Sequence, residues 1–460
     1  TGITYSQFSS ATIAGHSNAF GSTANGTQVT QNSQILLTGN ISVGFEALTL
    51  NSSAFGSWNG QYGAALRSYT GNNSWAGAIT LGQATTIATN SGAGLTLSGG
   101  IGGTFNLIFN SIGDTIASGN ITTSTGTLTK DGTGTLTLSG NNTYTGATTV
   151  SAGTLSMTGV SGYKTTALSV ASGATLGITM TGNATSVGAN TAGTWTAFNS
   201  VSANITGAGV VALNGTNFIS AGGSNGTMKT NLSAGGVLDV QSGSWAWGYG
   251  RASTATNLGS LNVASGAEYR SSDGAIQFDA LTGSGTVANA YSGNITITLG
   301  VSNTTNNDAY GVSGNTATFS GVIKGPDTYT GVTTGTLNLV KTGSGTQILN
   351  GNNTYTGTTT VSAGTLEIGA AGRLGAGSYA GNISNNGTLI YSGTNAQTLS
   401  GVISGTGALT QNAASTLTLS NTNTYSGSTT ISAGTLSLTG NLSGGTAISV
   451  GGASVFTQGS

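Results

Sequence analysis

The chain has 460 residues, nine Lys or Arg against ten Asp or Glu, and a net charge of −1, so charged side chains make up 4% of it, against about 25% in ordinary globular proteins. No basic run exists to track a phosphate backbone or an anionic lipid surface, which argues against nucleic acid as a partner. There is no Cys and no apolar run of 18 residues, so neither disulfides nor a membrane-spanning helix enters the fold.

Eighty Gly with one Pro, at Pro326, and 36% apolar residues separate the chain from disordered linkers, which combine low hydrophobicity with Pro enrichment. The N-terminal TGITYSQFSS lacks the charged and apolar regions of a leader. From Gly94-Leu-Thr-Leu97 onward, apolar and small polar residues alternate: Thr135–Leu138, Ala234–Val240, Asn294–Leu299. Alternation bounded by Gly, Asn and Ser predicts strand after strand, and helix content near nil. Two corner frames recur. Val170–Leu176 and Val263–Tyr269 share V-x-x-G-x-x-Φ, in which Gly at positive φ turns the chain. Leu97–Ile101, Phe319–Ile323 and Leu399–Ile403 mark a second corner. Residues 300–327, rich in Asn and holding Pro326, predict a loop or bulge, and Thr328–Leu337 resembles a decayed repeat.

The phrase NTYTGATTVSAGTL at Asn142–Leu155 returns as NTYTGTTTVSAGTL at Asn353–Leu366 and NTYSGSTTISAGTL at Asn423–Leu436. Upstream, Leu128–Ser139 corresponds to Leu339–Asn350 and Leu409–Ser420. A phrase written three times is one supersecondary unit reused. These residues resemble the autotransporter-associated β-strand repeat, also called the passenger-associated transport repeat, of large secreted bacterial passengers. The resemblance implies a right-handed parallel β-helix outside the cell, secreted or on a bacterial surface, and a chain that is a mature or cut passenger without its translocator. It implies little about activity.

The spacing from Leu136 to Leu155 predicts coils of about 20 residues and a single continuous all-β solenoid over residues 1–460, of about 20 coils and on the order of 100 Å long. Leu136, Leu138, Val150 and Leu155 are expected inward, with Val361, Leu366, Ile431 and Leu436. Corner Asn residues, at Asn141-Asn142, Asn352-Asn353 and Asn421–Asn423, are expected to stack as amide ladders.

A carbohydrate-active enzyme on this frame needs two carboxylates flanking a bond, and the densest ionisable stretch is Glu268, Arg270, Asp273 and Asp279. It reads more simply as a solvated face. His16 is the only histidine and has no nucleophile signature near it. With no Cys and no acidic calcium loop, neither a metal nor a cofactor is expected. Trp245, Trp247 and Tyr249 alternate along one strand, on one face. That face offers glycan stacking or, more simply, packing or self-contact, and Trp58, Tyr62, Tyr69 and Trp75 form a second aromatic group. Thr-x-Thr pairs such as Thr135/Thr137 are interrupted at Thr346/Ile348.

The sequence therefore predicts a non-enzymatic extracellular filament, stalk or matrix element, with glycan adhesion as the nearest variant. No charged residue precedes Glu46 or follows Arg373. Strand edges without gatekeeper charges predict head-to-tail self-association of copies.

Overall fold

A computed structural model describes residues 4–6, 11–20, 26–30, 32–52, 63–158, 164–165, 167–179, 204–215, 217–219, 229–233, 235–247, 259–271, 275–289, 293–300, 315–326 and 334–459. Among them, regular structure is β-strand apart from one 3-10 turn at Gly375–Gly377. Every strand pairing whose register is resolved is parallel, with each strand beside its counterpart one coil away. The chain is thus an all-β parallel solenoid of about 16 turns. That is fewer than the expected 20, because coils differ in length. Hydrogen-bonded neighbours on successive coils are 21 residues apart at Asn142, 30 at Asn353 and 42 at Asn294. Extra residues between strands lengthen a coil without adding a rung, at a small entropic cost.

Two compact units result. The first comprises Thr1–Gly182, Gly193–Ala212 and Gly223–Lys229; the second comprises Asn183–Ala192, Leu213–Gly222 and Thr230–Ser460.

In the first unit three faces follow one another around each coil. Ile79–Leu81, Ile101–Gly103 and Ile121–Thr122 lie on one; Thr85–Thr89, Leu107–Ser111 and Leu128–Asp131 on the next; Gly94–Leu97, Asp114–Ala117 and Thr135–Leu138 on the third. Period-2 alternation turns one side of each strand inward, and parallel register stacks like on like. The column Leu97, Ala117, Leu138, Met157, Ile178 is fully buried. Each such side chain contributes about 1.5–3 kcal/mol on burial, and only stacking makes that burial complete.

The second unit repeats the plan. Its inward column Ile297, Leu339, Thr359, Ile383, Ile403 lies on one face, and Phe319, Leu349, Ile368, Tyr391 on another. All eight side chains expected inward are buried. Pro326 ends the strand Val322–Pro326, where a register shift opposite Ala288 and Asn289 skips Gly325. Residues 301–314 and 327–333, which include most of the decayed repeat, lie outside the described residues.

The V-x-x-G corners turn at Gly173 and Gly266, with φ of +76° and +77°, and the matching corners of the three repeats at Gly153, Gly364 and Gly434, with φ of +63° to +68°. A Cβ at Gly153 would also lie 2.5 Å from the carbonyl oxygens of Gly132 and Gly134. Left-handed backbone and close approach together admit only glycine there.

Candidate functional site at the repeat corner

At the NTYTG phrase the first copy has no strand, the second only the isolated bridge Asn352–Arg373 and the third only the two-residue strand Thr422–Asn423, so the corner's backbone groups need other partners inside the coil, where water is excluded. Asn142, Asn353 and Asn423, all buried, supply them identically. Each side-chain Oδ1 accepts a hydrogen bond from a backbone N–H of the preceding coil: Ile121 at 2.8 Å, Ile323 at 2.9 Å and Ile403 at 2.8 Å. Each Nδ2 donates at 2.9 Å to the carbonyl two residues back, of Gly140, Gly351 or Asn421. The expected amide-on-amide ladder is therefore corrected. An amide offers one acceptor oxygen and two donor hydrogens; the oxygen takes the corner's backbone N–H, and Nδ2 bonds a carbonyl that in the second and third copies also accepts the N–H of Arg373 or Asn441. The exposed asparagines do build rungs outside: Asn120 Oδ1 accepts from the N–H of Asn141, Asn338 from Thr358, and Asn382 from Val402.

Two residues on, Tyr144, Tyr355 and Tyr425 point inward and are fully buried. Their hydroxyls bond the Thr four positions later, Thr148 and Thr359 at 2.8 Å and Thr429 at 2.6 Å. The next coil adds a third hydroxyl, from Thr165, Tyr379 or Thr446, and that group also donates to the carbonyl of Gly146, Gly357 or Gly427. In the middle copy a tyrosine does what threonine does in the other two, and Tyr355 meets Tyr379 edge-on at 5.5 Å. Burial pushes Tyr144 and Tyr379 up to about 12, and Tyr355 well above its ordinary value. These phenols stay protonated and act as donors in a closed chain that ends on a carbonyl. Such a chain ties coils together.

A third inward polar position is Lys130 in the first copy, Lys341 in the second and Gln411 in the third, all buried. Each donates to carbonyls of the neighbouring turn. Their charge and polarity suggest solvent, but their place in the sequence points inward: each lies two positions after an inward leucine, Leu128, Leu339 or Leu409, hence on the same side of its strand.

The residues singled out from sequence are dispersed. Trp245 is fully buried, in register with Tyr269 and then Val287, and Tyr269 meets Phe278 edge-on at 5.7 Å. The backbone of Trp247 runs beside Ser271; Tyr249 lies outside the described residues. Trp75 is also in the core, its indole N–H donating to the Glu46 carbonyl at 2.8 Å and its ring 5.1 Å from Phe20. Tyr69 is half-buried, and Trp58 and Tyr62 are outside the described residues. Glu268 is ion-paired with Arg270 at 2.5 Å and Lys324 at 2.9 Å. Asp279 is buried, and Asp273 is outside the described residues. Exposed His16 accepts a hydrogen bond from the Asn18 N–H at 3.2 Å. Among the described residues no three His, Asp or Glu gather as they would around a metal, and no helix is long and apolar enough to cross a membrane.

The passenger-associated-transport-repeat family model matches residues 128–157, 339–368 and 409–438, so the chain carries three of these repeats, each embracing one Asn–Tyr–Thr corner and its Lys or Gln. No curated protein and no solved structure matches the chain.

Proposed function

We propose that this chain is a structural, extracellular passenger-type β-solenoid, serving as a surface filament, stalk or matrix element whose copies associate end to end. The repeats and the parallel solenoid support the passenger reading. The polar side chains of the repeat corner are directed inward and used up on holding coil to coil. One observation carries the association. Over residues 374–460 the strands stack in parallel with no Asp, Glu, Lys or Arg among them, so a strand edge in this stretch carries no gatekeeper charge to repel a pairing strand.

A strand of a second copy laid on that edge would extend the same ladder, a heterologous contact that propagates unless it closes. With so few charges involved, association should be nearly indifferent to salt between about 0.05 and 0.5 M. Light scattering over a concentration series, with negative-stain images, tests it. Mass that grows with concentration and rods of many lengths support the reading. A constant monomer mass with rods of one length overturns it.

A further inference from the structure

Six Asn-Gly pairs occur in the chain, at Asn25, Asn59, Asn214, Asn225, Asn350 and Asn386. With no Cβ beside it, a glycine nitrogen can reach the side-chain carbonyl carbon of the asparagine before it. Asn25, Asn59 and Asn225 lie outside the described residues, and the fold treats the other three differently. Asn386-Gly387 is the turn between the strands Ile383–Asn385 and Thr388–Tyr391. The Asn386 side chain is exposed and reaches to the following coil, where its Oδ1 accepts the Thr406 N–H at 3.2 Å and the Thr406 hydroxyl at 3.4 Å. The Gly387 carbonyl faces that same coil and accepts the Ala408 N–H at 3.0 Å. In extended chain a residue's N–H and carbonyl point the same way, so carboxamide and glycine nitrogen lie on one side of the turn. Among the described residues the Gly387 N–H donates to no group. At Asn214 the reacting groups are tied instead. The Gly215 N–H donates to Ser242 Oγ at 3.1 Å, and Asn214 Nδ2 donates to Gln241 Oε1 at 2.9 Å. Asn350 is half-buried.

We propose that Asn386 is a self-modification site, converted to aspartate and isoaspartate by attack of the Gly387 nitrogen. That nitrogen gives up its proton to base and bonds to Asn386 Cγ, while the Thr406 N–H and hydroxyl hold the oxygen that turns negative. The Cγ–Nδ2 bond then breaks and ammonia leaves, closing a cyclic imide. Water opens the imide at the side-chain carbonyl to give aspartate, or at the main-chain carbonyl to give isoaspartate, which lengthens the backbone by one carbon. Because the pair sits in a turn, that carbon falls between two strands rather than inside a ladder. The new carboxylate is the only charged side chain between Leu374 and Ser460. The reaction depends on this turn alone and not on the association proposed above.

Freshly prepared full chain, held in heavy-oxygen water at mildly alkaline pH and then digested for mass spectrometry, reports each pair separately. Only conversion during the incubation places heavy oxygen in the new carboxyl. Asn386 is expected to convert roughly tenfold faster than Asn214, the factor set by one hydrogen bond that must open before attack, with Asn350 between them. In urea every pair loses its surroundings, and the three rates should converge. Asn386→Gln, whose longer side chain would have to close a larger and slower-forming ring, should abolish the label at that position and leave Asn214 and Asn350 unchanged. Asn214 converting as fast as Asn386 in the folded chain, or no heavy oxygen at Asn386, would overturn the proposal.

Discussion

Replacing Asn353 by Ala tests whether the corner amide is what closes a repeat coil. The side chain is fully buried; it accepts the Ile323 N–H at 2.9 Å and donates to the Gly351 carbonyl at 2.9 Å. Truncation strands the buried Ile323 N–H, at about 1–3 kcal/mol, and leaves a cavity in addition, while the Gly351 carbonyl keeps the Arg373 N–H at 3.1 Å. Allowing for partial relaxation, the expected loss is about 3 kcal/mol. At 1.4 kcal/mol per decade this is roughly a hundredfold in local opening. Asn382 is the control. Its Oδ1 makes the same kind of bond, 2.9 Å from the Val402 N–H, but at an exposed site, where water replaces it, so Asn382→Ala should cost about 0.5 kcal/mol or less.

Because a solenoid opens by segments rather than all at once, the assay is hydrogen exchange of peptides spanning 319–326 and 351–361 rather than a single melting point. Asn353→Asp refines the test. It keeps the acceptor but turns a second oxygen toward the Gly351 carbonyl, so it should also destabilise. Protonating the introduced carboxyl restores a donor, so that loss should shrink as the pH is lowered. If Asn353→Ala and Asn382→Ala loosen their coils equally, the inward amide is not the fastening argued here.

Inward charge should be read by its rung neighbour. Leu155→Asp, flanked by Leu136 and Leu176, buries an unpaired carboxylate and should cost several kcal/mol, whereas Val150→Asp, beside Lys130, should cost less, and outward Thr137→Ser should stay within about 0.5 kcal/mol; chemical denaturation of the three variants gives the order. At alkaline pH the buried phenols dominate. The folded values of Tyr144 and Tyr379, raised to about 12 from 10, mean stability that is full below about pH 10 and lost as the pH rises toward 12, so the melting temperature should fall steeply there, and a flat profile would contradict their burial.

The inward set and the parallel architecture were legible because period 2 and a 20-residue repeat leave little freedom once apolar residues must stack. The number of coils was less legible. Extra residues at a corner, as in the 42-residue step from Asn294 to Thr336, cost the fold almost nothing and carry no pattern of their own. Trp245, Trp247 and Tyr249 read as one face, but alternation cannot say which side of a strand is the core. The column Trp245, Tyr269, Val287, Ile323 settles that for Trp245, since Ile323 is core. Lys130 was missed for the converse reason. A lysine is assigned to solvent by its charge, although its parity with Leu128 points inward, and only the turn carbonyls one coil away make the burial tolerable.

The repeat phrase itself follows from the same accounting. Between copies, Ala147, Thr358 and Ser428 exchange freely, as do Ser156, Glu367 and Ser437, and these positions are exposed or half-buried. Asn142, Tyr144, Gly146, Thr148 and Gly153 keep their identity in all three copies, while Thr145 and Thr356 become Ser426. The unchanging positions hold a backbone group or conformation that the strand ladders do not support: the Ile N–H of the preceding coil, the glycine carbonyl, the positive φ of the turn. Where the interior tolerates an equivalent donor it varies after all, Tyr379 standing for Thr165 and Gln411 for Lys130. What the fold requires at each place is therefore a hydrogen-bonding capacity at a fixed reach rather than a residue type. A copy can drift in sequence for as long as every buried N–H and carbonyl of its corner still finds a partner.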